Sequence, residues 1–576
     1  MITRPAVTRS VSVLSDLSVI ALLAAILYGL VRVAQYWRAP LQPEVDIHLS
    51  LWALPGYTLL SLLRGLVAYV ISLFFALSYG YVAAHRPRAE RVMLPLLDIL
   101  QSIPVLGFLP GAVLALVALF PRTHVGLELA SILMIFTGQV WNMTFSVYQS
   151  LRSVPVELRE ASALYRFNWW QRFRRVELPA AAVSLAWNSM MAMAGGWFFL
   201  MICEAFTLGE HAFRLPGLGA YISVAIARHD TGATLAGVAA MVLMIVLVDV
   251  CLWRPVLVWV QRFRIEDTAT SEPQDSMVLS WLRRSRLAHA AIARLAHPIS
   301  EWLTAAANVQ PRPDAGSRRM TSPKRWLTAL IVNGLVTGLA ALGVLWAAGR
   351  LLDLLGHLPW QAWSTVMAGA LWTSLRVMGA VVLGTLWTVP VGIWIGQSDR
   401  RRRRLQPLVQ IAASFPAPML YPLILLLLHQ LGWGLSVGAV ILMLVGTQWY
   451  ILFNVIAGVS AVPDDLREAA RSYHFTPRQR WTTLWWPGVF PYLVTGWVTA
   501  AGGAWNASIV AEYVAQGPQE ISTAPGLGSL ISAAASHGQY DLLAAGVLTM
   551  AVVVIAINRY VWKPLYRLAE RRYAWA

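Results

Sequence analysis

Long apolar runs separated by short basic segments set the pattern of hydrophobic and polar positions along this chain. A helix that crosses a bilayer needs about 20 mostly apolar residues, because its backbone polar groups must pair within the segment once water is gone. About twelve windows meet that length. In the first half they are Leu14–Val33, Thr58–Ala84, Leu94–Phe120, Val125–Tyr148, Ala180–Met201 and Ala233–Leu257. The second half has Trp326–Ala348, Ala370–Gly396, Leu405–His429, Leu435–Val455, Gly488–Val510 and Leu542–Trp562. No small-residue cleavage site follows the first run, so it reads as a retained helix. Between the halves, Gln261–Arg325 is polar and basic, with Pro311, Pro313, Gly316 and Pro323, and reads as a cytoplasmic linker. Within it Ser280–Leu295 fits either a basic amphipathic helix or a solvated spacer. The expected division is a first unit at 1–260, the linker at 261–325 and a second unit at 326–576.

Charge orients these helices. With the N-terminus inside, about 37 of the Lys and Arg residues fall on one side and about 5 on the other, the asymmetry of the positive-inside rule. Both termini are then cytoplasmic, and the runs His85–Arg91 and Asp399–Arg404 occupy equivalent cytoplasmic turns. Composition agrees with a polytopic membrane protein in the lipid bilayer: 57% hydrophobic, 13% charged and a mean hydropathy of +0.58. Soluble domains carry about 25% charged residues. The net charge of +17 therefore reads as orientation signal rather than a nucleic-acid surface. Cys203 and Cys251 fall in apolar runs placed at opposite membrane faces, too far apart for a disulfide.

The chain repeats itself. The segment Val154-Pro155-Val156-Glu157-Leu158-Arg159-Glu160-Ala161-Ser162 recurs about 308 positions later as Val462-Pro463-Asp464-Asp465-Leu466-Arg467-Glu468-Ala469-Ala470. The same offset pairs Tyr165 with Tyr473, Pro179 with Pro487, Trp197 with Trp505 and Glu204 with Glu512. One inserted residue later, Pro216-Gly217-Leu218-Gly219 matches Pro525-Gly526-Leu527-Gly528. Upstream, Ser102-Ile103-Pro104 matches Ser414-Phe415-Pro416. Both copies keep one predicted orientation, which makes them parallel repeats about an axis along the membrane normal.

Glu160-Ala161-Ser162 followed by Leu178-Pro179, and Glu468-Ala469-Ala470 followed by Trp486-Pro487, resemble the cytoplasmic loop of binding-protein-dependent ABC importer permeases. The paired Pro-Gly-Leu-Gly loops are most similar to the nitrate/sulfonate/bicarbonate branch and its duplicated permeases. The resemblance implies an all-α protein of about twelve transmembrane helices in two parallel six-helix units of the type I importer fold. It also implies two ABC ATPase subunits on the cytoplasmic face, an extracytoplasmic solute-binding protein and a bacterial inner-membrane location. The coupling loops would then lie at 153–179 and 461–487. In each a short helix would begin near Pro155 or Pro463, with Glu157, Asp464 and Asp465 favouring its positive end. Arg166 and His474 stand where the family's loop usually carries a glycine, so some other residue is expected to make that turn. Ala161, Ala469 and Ala470 are expected to offer a small face to the ATPase, with Glu160, Glu468, Arg159 and Arg467 pairing across the contact.

No G-x-x-x-x-G-K-[ST] motif accompanies the two lysines, Lys324 and Lys563, so ATP and Mg are expected on the partner ATPase, with no cofactor in this chain. No metal motif, paired C-x-x-C or nucleophile elbow is present, and catalysis by the chain itself is not expected. Two other readings stay open: a twelve-helix secondary transporter, and a membrane scaffold or sensor without transport. A cavity between the halves argues against the scaffold. Candidate pathway residues are the prolines Pro104, Pro416 and Pro418, which are equally readable as packing kinks. Arg64 and Arg376 hold matching positions and suit either an anionic solute or a structural role. Asn188, Trp197, Trp505 and Asn506 are candidate lining. Glu204, Glu512, Gly217, Gly219, Gly526 and Gly528 are candidate outer-loop residues. The expected substrate is a small solute, with nitrate, sulfonate or bicarbonate implied by the resemblance.

Overall fold

The computed structural model describes residues 45–263, except 103, 209 and 210, and residues 338–573, except 339–341, 343, 344, 347, 517, 518 and 524. The window Leu14–Val33, most of Trp326–Ala348 and the linker beyond Phe263 lie outside the described residues.

The first unit runs α1 (Leu54–His85), α2 (Pro87–Ser102), α3 (Leu109–Leu119), α4 (Val125–Arg152), the short α5 (Val156–Leu164) and α6 (Trp169–Cys203). A hairpin of β1 (Ala205–Leu208) and β2 (His211–Arg214), then α7 (Leu218–Ala227) and α8 (Thr231–Phe263), complete it. The second unit repeats this order: α9 (Trp360–Gly396), α10 (Asp399–Ser414), α11 (Tyr421–Gln430), α12 (Leu435–Ala461) and the short α13 (Asp464–Ser472). Then come α14 (477–511), β3 (Tyr513–Gln516), β4 (Gln519–Ser522), α15 (Leu527–Ser536) and α16 (Tyr540–Ala569). Among the described residues seven helices are long and apolar enough to cross a membrane: α1, α4, α6, α8, α9, α12 and α16. The fold is an all-α polytopic one, with two small antiparallel hairpins that the apolar windows do not foretell.

Small residues seat the long helices. Ala68, Ser72, Ala76 and Gly80 are buried at four-residue intervals on α1, and Ala380, Gly384, Thr388 and Gly392 repeat the stripe on α9. A Cβ at Gly80 would lie 2.7 Å from Val147 of α4, and one at Gly392 would lie 2.6 Å from Val455 of α12. Where lipid removes the hydrophobic drive between helices, such close backbone approach supplies the packing that holds them.

The third and ninth windows need correction, because Leu94–Phe120 and Leu405–His429 are not continuous spans. Pro104 and Pro416 sit in extended conformation, ψ 118° and 115°, each followed by one 3-10 turn, Val105–Phe108 or Ala417–Leu420. Proline lacks the N–H a helix needs there and its ring opposes the carbonyl four residues back, so the helix stops and restarts. Four π-turns, Phe173–Glu177, Asp249–Trp253, Arg480–Trp485 and Asn558–Trp562, each end two residues before a proline: Pro179, Pro255, Pro487 and Pro564. A widened turn lets the helix pass a residue with no N–H without breaking.

The broken segments cross between units: 105–108 packs on α14, and 417–420 packs on α6. One hydrophobic core consequently runs through both halves.

Candidate functional site

At one end of the two units α5 and α13 stand as surface helices. Pro155 and Pro463 are their N-caps, in extended conformation. Both helices close in the same way: the Phe167 N–H donates to the Ser162 carbonyl, and Phe475 to Ala470, each at 3.0 Å. The Arg166 N–H donates to Ala163, and His474 to Arg471, also at 3.0 Å. This double bond pattern requires a left-handed residue just past the helix, usually glycine. Arg166 (φ 50°) and His474 (φ 51°) take it themselves, correcting the expectation that another residue makes the turn. A side chain in that conformation costs about 1 kcal/mol. Arg166→Gly and His474→Gly are therefore each expected to raise stability by about 1 kcal/mol, measured as a higher unfolding midpoint of the full chain in detergent.

The helices present a face different from the one the sequence suggests. Ser162 and Ala470 are buried, the latter against Val462 and Leu484, so neither is available to a partner. Arg159 donates to the carbonyls of Leu151 and Arg152, and Arg467 to that of Val459, where they satisfy the last turns of α4 and α12. The outward residues include Glu157, Glu160 and Leu164 on α5 with Tyr165 and Arg166 just past it, and Asp465, Glu468 and Arg471 on α13 with Tyr473 and His474 just past it. Tyr165 and Tyr473 are 73% and 78% exposed, large apolar rings that sequence reasoning paired but did not assign to this face. Ala161 and Ala469 are half-buried. Leu178, Pro179, Trp486 and Pro487 are half-buried just past the π-turns of α6 and α14.

At the opposite end each unit buries an arginine–glutamate cluster. Arg64 of α1 donates from Nε and Nη2 to both oxygens of Glu128 at 2.7 Å, and from Nη1 to Glu204 at the end of α6. The Ser61 hydroxyl donates to Glu204 at 2.6 Å, and the Gly219 N–H does so at 2.6 Å. In the second unit Arg376 donates to Glu512 at 2.9 Å, joined by the Thr373 hydroxyl and the Gly528 N–H, each at 2.9 Å. The Pro-Gly-Leu-Gly loops thus wrap onto a carboxylate. A Cβ at Gly217 would strike Glu204, one at Gly219 would lie 2.8 Å from the Met201 carbonyl, and one at Gly526 would lie 2.7 Å from Glu512. At Gly528 a Cβ would strike the Ser508 carbonyl.

Between the halves lies a cavity of ≈ 570 Å³, bounded by α4 and α6 on one side and α12 and α14 on the other. Asn188, Pro416, Trp505 and Asn506 line it, as do Trp141 with Trp449 and Phe145 with Phe453, pairs at the repeat offset. The aromatic walls are symmetric but the polar groups are not: at the repeat offset Asn142 is matched by Tyr450, and Asn506 by Phe198. The lining, among the described residues, contains no carboxylate, and its charged member is Lys563. Arg64, Arg376, Trp197, Pro104 and Pro418 do not border it, and Arg64 and Arg376 are held by glutamates instead, a placement that corrects their reading as pathway residues.

The profile of the family described as the binding-protein-dependent transport system inner membrane component matches residues 68–254 and again 388–573. The chain belongs to that family. The permease ProW of the glycine betaine/proline betaine system of Escherichia coli is 25% identical over 247 residues, 43% of this chain and 64% of ProW. The chain thus spans just under two-thirds of ProW's length. The taurine permease TauC of Escherichia coli is 25% identical over 200 residues, 33% of this chain and 68% of TauC. The trimethylamine N-oxide permease TmoV of Ruegeria pomeroyi is 22% identical over 489 residues, 79% of this chain and 69% of TmoV.

In this permease one hydrogen bond ties the halves at the cavity wall: the Val105 N–H, at the restart of the broken segment, donates to Asn506 Oδ1 at 2.7 Å. Asn506→Ala leaves that N–H without a partner and is expected to cost about 1–3 kcal/mol, read as a lower unfolding midpoint.

Proposed function

We propose that the chain is the fused transmembrane permease of an ATP-driven importer, carrying both membrane halves in one polypeptide. Two surface helices at the same end of two homologous units, with a cavity between the units, support this reading most directly. Units at 1–260 and 326–576 joined by a linker at 261–325 each contain one of the two profile matches. Two ATPase subunits dock on α5 and α13, bind ATP and Mg, and drive alternating access. A solute-binding protein docks at the opposite, extracytoplasmic end. Both termini then lie in the cytoplasm and the protein resides in a bacterial inner membrane. A secondary carrier has no use for duplicated docking helices.

The solute is small and neutral or anionic at its binding end. A cavity without a carboxylate has no counter-charge for a cation, whereas the side-chain amides, tryptophan N–H groups and Lys563 that border it donate to oxygens. Relatives named for bicarbonate, nitrate and taurine transport fit that chemistry, as do those named for glycine betaine and trimethylamine N-oxide. Affinity purification of the tagged chain from its native host, followed by mass spectrometry, tests the assembly. Recovery of an ABC ATPase at two copies per chain is expected; its absence, where a control importer keeps its own, overturns the reading.

A further inference from the structure

The two buried arginines are equivalent in the repeat but unequally satisfied. In the first unit Arg64 holds two carboxylates, Glu128 through the Nε–Nη2 edge and Glu204 through Nη1. At the repeat offset Glu128 becomes Ser436, which is exposed. Arg376 binds Glu512 through Nη1 and the Pro525 carbonyl through Nη2, at 2.9 and 3.0 Å. Its Nε has no hydrogen-bond partner among the described residues, although Arg376 is only 6% exposed. The Nε–Nη2 fork that grips a carboxylate bidentately in one unit is thus only half filled in the other, with Nη2 on a backbone carbonyl and Nε open. Beside it lies a cleft of ≈ 400 Å³ between α9 and α12, walled by Trp372, Leu375, Arg376, Ser436, Val437 and Pro525.

We propose that this cleft binds one oxyanion where Glu128 sits in the first unit, and that the phosphate of a phospholipid headgroup supplies it. The first unit demonstrates that one guanidinium in this setting holds two oxyanions together. The cleft's apolar walls face outward: Trp372, Leu375 and Val437 are 48%, 54% and 51% exposed, on two helices apolar enough to cross a bilayer. About 30 Å of helix, one hydrocarbon thickness, separates Arg376 from Gly396. That places the arginine at headgroup depth with a tryptophan beside it, the arrangement of a membrane interface. The leaflet, outer, rests on the orientation proposed above; the oxyanion chemistry does not.

Native mass spectrometry of the full chain in detergent, titrated with phosphatidylglycerol, tests this independently of ATPase binding or transport. Wild type is expected to retain one lipid that Ser436→Glu, which rebuilds the first unit's carboxylate, binds at least tenfold more weakly. Glu128→Ser is expected to open a second site and raise the retained lipid to two. Thermal stabilisation by inorganic phosphate that Ser436→Glu abolishes, without lipid retention, overturns the lipid as source and leaves the oxyanion site standing. Equal lipid and phosphate binding by wild type and Ser436→Glu overturns the site. If Ser436→Glu weakens only the docking of the solute-binding protein, the cleft belongs to that partner and the proposal fails.

Discussion

Glu512→Ala is expected to lower the stability of the chain by about 3–5 kcal/mol, because it leaves a buried arginine without a counter-charge. Glu512 is the carboxylate that Arg376 holds, and it also accepts from Thr373 and the Gly528 N–H that pins the following loop. The equivalent change in the first unit, Glu204→Ala, should cost less. There Arg64 loses its Nη1 bond to Glu204 but keeps its two bonds to Glu128, so no buried arginine is left without a counter-charge, and with the bonds from Ser61 and Gly219 the loss is about 1–3 kcal/mol. Thermal unfolding of both variants in detergent reads the order directly. Equal losses would mean that Glu128 does not compensate, and the two clusters would then be energetically alike despite their different charge counts.

Reversing Glu160 and Glu468 together, to arginine, is expected to abolish recovery of the ATPase while leaving the fold untouched. Both side chains are exposed, and neither holds an ion pair among the described residues. An interfacial charge pair turned into a like-charge contact costs about 2 kcal/mol or more, so two reversals cost roughly 4 kcal/mol, near a thousandfold in affinity. Each single variant should retain partial ATPase recovery, since the second helix still docks. An unchanged unfolding midpoint alongside lost ATPase is the expected signature. ATPase retained by the double variant would move the contact to the exposed Leu164, Tyr165 and Tyr473, where substitution to serine is the next measurement.

Local signals in the sequence located the two short surface helices well. The Glu-Ala motif, its proline N-cap and its repeat all lie within one stretch, and the structure places a nine-residue helix at each copy. Which face turns outward was not legible, because burial of Ser162 and Ala470 depends on elements far along the chain. The buried clusters show the same limit. Arg64, Arg376, Glu204 and Glu512 all stood out as matched pairs, yet the bonds that join them span 136–140 positions. Two matched arginines and two matched glutamates, repeating together in apolar segments, were the available sign that they neutralise each other. Glu128 went unnoticed since it has no twin. The third and ninth windows misled for a simpler reason: hydropathy counts apolar residues and takes no account of a proline that ends a helix in their midst.

A cavity on a true two-fold axis along the membrane normal would offer any solute two identical poses, related by a half-turn about that axis. Fusion has freed the two walls of this cavity to differ: Asn142 is matched in the repeat by Tyr450, and Phe198 by Asn506, beside matched aromatic pairs. Each wall thus carries one of these amides and one of these rings at non-equivalent places, so a solute turned by half a rotation meets a different pattern. The two poses that symmetry would make equal are therefore unequal here.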